Sequence, residues 1–177
     1  MVMSMEKAAN NDTQRAESVT NLRFERKFVF QNSSFDEVIQ RVYQNSFGFK
    51  EVFYKRKINN IYFDDANYNF YKQNVEGVAN RKKLRLRWYS YDTAHIENPT
   101  IEMKKKMGEV GDKDSYRLKG HFLDLKTNKA TDVHTYLIEN TVQYVGLNHS
   151  LKALHPTLLN TYERRYFLSF CGRYRIT

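Results

Sequence analysis

The chain has one cysteine, two prolines and seven glycines in 177 residues. A single cysteine excludes an internal disulfide and gives no metal-ligand spacing. Set among aromatics in YFLSFCGRY, Cys171 is expected to be a packed core thiol. The scarcity of glycine leaves no Gly-rich phosphate loop, and neither GxSxG nor HExxH occurs, so nucleophilic hydrolase chemistry has no support. The five histidines (His95, His121, His134, His149 and His155) lack metal-ligand spacing. No apolar run approaches the roughly 20 residues of a membrane span, and the N-terminus has no hydrophobic signal core. A cytoplasmic protein is expected. Acidic residues are also short: 20 Asp and Glu against 29 Lys and Arg give a net charge of +9. That balance favours an acidic partner without choosing among nucleotide, polyphosphate, nucleic acid and anionic lipid.

What the chain does have is apolar and aromatic material, at 41% and 15% with 13 Tyr and 12 Phe, enough for one cored domain. Residues 1–20 read as a flexible lead-in and 21–177 as the domain. Strands are expected at 22–30, 57–64, 81–91, 99–107 and 158–170. Helices are expected at 34–46, capped by Ser33 or Ser34, at 132–145, and at 149–155 ended by Pro156. Residues 108–111 read as a connection to a segment over 116–119. Short connections make the strands mostly antiparallel, so the fold class is α+β.

The strand-like segments carry a pattern. Arg23, Glu25 and Lys27 alternate in RFERK, Lys83, Arg85 and Arg87 in KKLRLRW, and Glu102, Lys104 and Lys106 in IEMKKK. Alternate strand residues share a face. Several such strands curled together line a concavity with cations and a few carboxylates, which suits a chain of phosphates. For one isolated R-x-R a solvated strand face is the better reading; repetition in other strands weakens it. Glu102 beside Lys104 reads either as a metal-coordinating or charge-balancing carboxylate next to a phosphate-binding lysine, or as a cross-strand ion pair worth little if exposed. Tyr162 and Arg164 share one face of TYERRYF, and Glu163 and Arg165 the other; Arg164 is expected inward, with Tyr162 either donating its hydroxyl to the same anion or packing in the core with that hydroxyl satisfied. Arg173 and Arg175 offer one more inward base. The aromatics are expected mostly on the faces opposite the charges, as a core rather than a stacking platform.

Taken together, RFERKF, INNIYFDDANYNFY, KKLRLRWY, IEMKKK, NTYERRYF and RYRIT resemble the VTC domain, the polyphosphate polymerase branch of the triphosphate tunnel superfamily, from about residue 22 to the end. The resemblance implies an antiparallel β-tunnel with flanking helices. It implies phosphate-binding roles for Lys27, Arg85, Arg87, Lys104, Arg164 and Arg175, with Tyr162 beside them and Arg117 of SYRLK as a looser match. It also implies ATP and polyphosphate as ligands, transfer of the γ-phosphate to the growing chain, and a divalent metal, Mn²⁺ or Mg²⁺. In the family, further strands follow the R-x-T segment, one with a metal-binding Glu; here the sequence stops at Thr177. The expectation is therefore an incomplete tunnel in which Glu25 or Glu102 stands in as metal ligand. A homo-oligomer closing the sheet edges and a membrane-protein partner stay open, and no nucleic acid is expected. The alternatives are a polyphosphate or inositol polyphosphate binding module without turnover, and a triphosphatase of the same superfamily. That branch usually shows E-x-E-x-K where this chain has Arg23-x-Glu25-x-Lys27.

Overall fold

The computed structural model describes residues 26–108 and 110–177. Helix α1 (Phe35–Tyr43) begins at a capping box: the Ser34 hydroxyl accepts from the Glu37 N–H at 3.2 Å, and the Glu37 carboxylate accepts from the Ser34 N–H at 2.9 Å. Two orphan donors of the first turn are thereby satisfied. The strand β1 (Lys50–Asp64) follows, then α2 (Asn69–Val75), β2 (Asn80–Tyr89), β3 (His95–Glu97), β4 (Thr100–Met107) and β5 (Val110–Arg117). After β6 (Phe122–Asp124) come α3 (Ala130–Glu139), α4 (Val145–Lys152), β7 (His155–Leu168) and β8 (Arg175–Ile176).

Six strands form one antiparallel sheet in the order β5-β4-β2-β1-β7-β8, and β3 pairs with β6 in a separate ribbon. The large sheet curls into a half-barrel with β5 and β8 as its edges among the described residues, and the four described helices complete an α+β fold. Strand alternation explains why only one face is covered. Ile61 and Phe63 of β1, Leu84, Leu86 and Trp88 of β2, and Ile101 and Met103 of β4 point outward. There they pack against Val133 and Leu137 of α3 and Leu147 and Leu151 of α4. A smaller cluster of Val42, Phe49 and Phe167 fixes α1 to the far end of the same convex face. No described helix is long and apolar enough to cross a membrane.

Several expectations need correction. Residues 26–30 of the expected first strand join no sheet, and Phe28 and Phe30 are exposed; residues 22–25 lie outside the described part, as does the lead-in. Their alternation is a strand signal, but a strand also needs a neighbour's backbone. The strand β1 starts seven residues before Lys57, because pairing with β7 recruits KEVFYKR through register shifts that no alternation announces. Residues 108–111 are not a connection to 116–119: β5 already starts at Val110 and forms a hairpin with β4 that aligns Lys104 with Lys113. The helix expected over 132–145 is α3 and ends at Glu139 in turns over 140–144, the helix expected over 149–155 is α4 and starts earlier, at Val145, and Pro156 sits inside β7 rather than ending a helix. The strands β3 and β6, three residues each, were too short to show a period. Cys171 is exposed, not buried, because Gly172, at φ 71°, turns the chain there. Its aromatic neighbour Phe170 projects outward with it.

Candidate anion-binding face

The concave face is built by residues that alternate with the core positions. In register across the sheet, Lys83 of β2 faces Lys104 of β4, which faces Lys113 of β5. One step along, Tyr62 of β1 faces Arg85, Arg85 faces Glu102, and Glu102 faces Ser115. The next row runs Asn160, Asn60, Arg87, Thr100 and Arg117. Beyond it, Ile58 lies between Tyr89 and Tyr162, then Arg56 pairs with Arg164 and Phe53 with Tyr166. Arg175 faces Leu168 at the β8 edge. Of the expected phosphate-binding residues, Arg85, Arg87, Lys104, Arg117, Arg164 and Arg175 all fall on this face, and so does Tyr162. Lys27 lies close enough to Lys83 for its charge to act on it. Glu25 lies outside the described residues.

Electrostatics distinguish two regions. Around Lys83 burial first, then the charges of Lys27, Arg81, Lys104 and Arg85, lower its pKa from the ordinary lysine value. Clustered like charges repel one another, a cost that an anion within reach would offset. Around Glu102 three cations are partly compensated by one carboxylate. Its carboxylate is 3% exposed and receives Arg85 Nη2 at 2.7 Å, Arg85 Nε at 2.8 Å, Arg87 Nη2 at 2.9 Å and Lys113 Nζ at 2.9 Å. Burial pushes the Glu102 pKa up, but hydrogen bonds from Lys113 and Arg85 and the charges of Arg85 and Arg87 outweigh it, so the carboxyl is held below its usual range. For Arg85, burial disfavours the charged form, yet the bonds to Glu102 and Tyr62 prevail and raise its pKa. Glu102 thus acts as a buried anchor that holds two guanidinium forks and one ammonium in place.

Polar capacity remains on the floor. Both side-chain polar atoms of Asn60 and the Nε of Arg87 are buried without a hydrogen-bond partner. Such orphans cost about 1–3 kcal/mol each, a cost that an oxyanion within reach would offset. Arg164 Nη2 lies 3.4 Å from the Tyr162 hydroxyl, with its guanidinium 5.3 Å from that ring. On the opposite face, Arg165 pairs with Glu51 through Nε at 2.9 Å, and Lys105 with Asp114 at 2.9 Å.

The metal expectation meets a mismatch. Among the described residues no three His, Cys, Asp or Glu side chains converge. Among the described residues, the Glu102 carboxylate is already enclosed by three cations that would repel a divalent ion. The described residues therefore do not fit a protein-held metal. Sequence reading also missed Arg56 and Lys113. Lys113 alternates with Ser115 and Arg117, and Arg56 with Ile58, Asn60 and Tyr62, but both lie in parts of β5 and β1 that precede the strand-like segments of the sequence. Beside the expected Tyr162, the charged face also carries Tyr62, Tyr89, Tyr166 and Phe53, where the aromatics were expected mostly on the opposite faces. Two cavities, of about 330 and 440 Å³, lie away from it, beside His95 and His121 and between α4 and the convex sheet face.

The described fold is a curled antiparallel half-barrel with helices on its convex side and a hollow lined by arginines and lysines. The chain belongs to the VTC domain family, whose model matches residues 22–177. No curated protein matches the chain.

Proposed function

We propose that the concave face binds the triphosphate of ATP and a polyphosphate chain, and that the domain transfers the γ-phosphoryl group to the chain end. The observation that carries the reading is the cross-strand row of Lys83, Lys104 and Lys113, next to arginines oriented by Glu102. VTC membership, a family associated with polyphosphate polymerases, supports the same reading. A terminal phosphate oxygen of the chain would attack the γ-phosphorus, the bond from Pγ to the bridging oxygen would break, and ADP would leave. Such a transfer needs charge neutralisation and in-line alignment rather than a covalent residue, and preorganised cations supply both. A second reading, a polyphosphate-binding module without turnover, is favoured by the lack of a metal ligand set among the described residues.

Calorimetric titration with tripolyphosphate, with and without Mn²⁺, tests the binding. Tight binding by the wild type, lost in an Arg85→Gln/Arg87→Gln variant that keeps its circular dichroism, is the expected result. No binding by a folded wild-type chain would overturn it. Polymer formation from ATP then separates the two readings: turnover supports the transferase, and binding without product supports the module.

A further inference from the structure

The two ends of the concave face differ in a way that a uniform chain of phosphates does not require. At the β2–β4–β5 end the face carries Lys83, Lys104 and Lys113 in register. At the β1–β7 end three rings from three strands surround one guanidinium. Arg56 Cζ lies 5.1 Å from the Phe53 ring, 5.6 Å from Tyr89 and 5.7 Å from Tyr166. Phe53 meets Tyr166 edge to face, with centroids 5.8 Å apart. These rings are not core: Phe53 is 54% and Tyr89 44% exposed, and Arg56 is exposed as well. An open aromatic cluster on a charged face leaves apolar area in water for which the fold has no use.

We infer that this aromatic end is a subsite for a nucleobase, so that the face distinguishes a nucleoside triphosphate from bare polyphosphate. The inference rests on the phosphate-binding reading above and deepens it. Flat rings and a guanidinium plane are the surfaces on which bases stack, whatever their hydrogen-bonding edge. The subsite is also joined to the phosphate-binding row. The Arg87 guanidinium, which Glu102 holds at 2.9 Å, lies 5.3 Å from the Tyr89 ring. Positions 87 and 89 are two residues apart on one strand face, about 7 Å, a separation that a ribose can bridge between a stacked base and its first phosphate. A ligand lying this way has its base against Tyr89, Phe53 and Arg56, its phosphates over Arg87 and Arg85, and its terminal phosphate toward Lys83 and Lys104. Arg56 is then a ligand-contacting residue that gives specificity for the base rather than general affinity for phosphate.

The test compares ATP with tripolyphosphate on the full chain, by calorimetry, for the wild type and a Phe53→Leu/Tyr89→Leu variant. The wild type is expected to bind ATP about tenfold more tightly than tripolyphosphate, the scale of one stacking contact. The variant should lose that preference while binding tripolyphosphate within about twofold of wild type, by the same stacking argument. Saturation-transfer NMR on the wild type alone gives a second readout: irradiating protein aromatic protons should attenuate the base protons of ATP more than its ribose protons. Equal wild-type affinity for the two ligands, or a variant that weakens both alike, would overturn the subsite. So would an oligonucleotide displacing ATP at moderate salt, which would assign the rings to single-stranded nucleic acid. Failure of both ligands to bind would instead remove the phosphate-binding reading, an outcome distinguishable from loss of the base preference alone.

Discussion

The two faces of the same sheet are made from the same strands, yet they obey different physics. On β2, Leu84, Leu86 and Trp88 are essentially inaccessible and packed under helices, whereas Lys83, Arg85 and Arg87, one residue away in each case, stand on the hollow side. The convex face gains stability from apolar burial. The concave face holds a group of like charges and orphaned polar atoms, which lowers stability in the absence of an anion. On the proposed reading, one strand of period two keeps folding energy and ligand affinity on separate residues, and substitutions at neighbouring positions should have effects of different kinds.

The largest effect is expected on the convex side. Leu86→Ala removes a fully buried side chain from the main core and should cost about 2–5 kcal/mol of stability. The change is read as a shift in urea midpoint, with anion affinity unchanged in the fraction that stays folded. A variant that loses affinity without losing stability would break the division between faces.

Glu102→Gln probes the one place where the hollow side contributes to the fold. Breaking a fully enclosed pair costs about 3–5 kcal/mol, but Arg85 and Arg87 retain 26% and 21% of their side-chain exposure and Lys113 51%. A loss of about 1–3 kcal/mol is the fitting expectation. The pH dependence follows from the lowered pKa of Glu102. The folded protein binds this proton less readily than the unfolded chain, so the stabilisation is fully present above the ordinary carboxyl value of 4.5 and is lost as pH falls through the lower folded value. Wild type and variant should therefore converge in stability in that acid range, as measured by denaturation at stepped pH. A gap that persists unchanged would show that Glu102 acts through packing rather than charge.

The smallest effect on stability is expected at Lys83→Met. Removing one of several mutually repelling cations should leave the melting temperature unchanged or slightly raised, while tripolyphosphate affinity falls by about tenfold, the scale of one charge-assisted phosphate contact. Because the Lys83 pKa is lowered in the folded protein, its charge is lost on raising pH before that of an ordinary lysine, at 10.5. Wild-type affinity should start to decline in that alkaline range, and the Met variant should lack this component of the decline. Calorimetric titrations at stepped pH measure it.

Much of the site was legible because alternation is a local property. KKLRLRW and IEMKKK state which side chains share a face before any partner strand is known, and the Ser34–Glu37 capping box is likewise written in adjacent residues. The boundaries of β1 and β5 were less legible, since their pairing energy comes from strands distant in sequence. KEVFYKR becomes strand because β7 lies beside it, and the start of β5 because it folds back on β4. Those two misplaced starts hid Arg56 and Lys113.

The sequence alone determined the α+β class, the net positive charge and the sharing of one strand face by Arg85 and Arg87, each a matter of composition or of positions two apart. The tertiary structure decided that Glu102 lies under three cations from two neighbouring strands, and that Phe53, Tyr89 and Tyr166 gather around Arg56 on the charged side. Those relations depend on register and sheet curvature, which bring together residues far apart along the chain, and no local period encodes them.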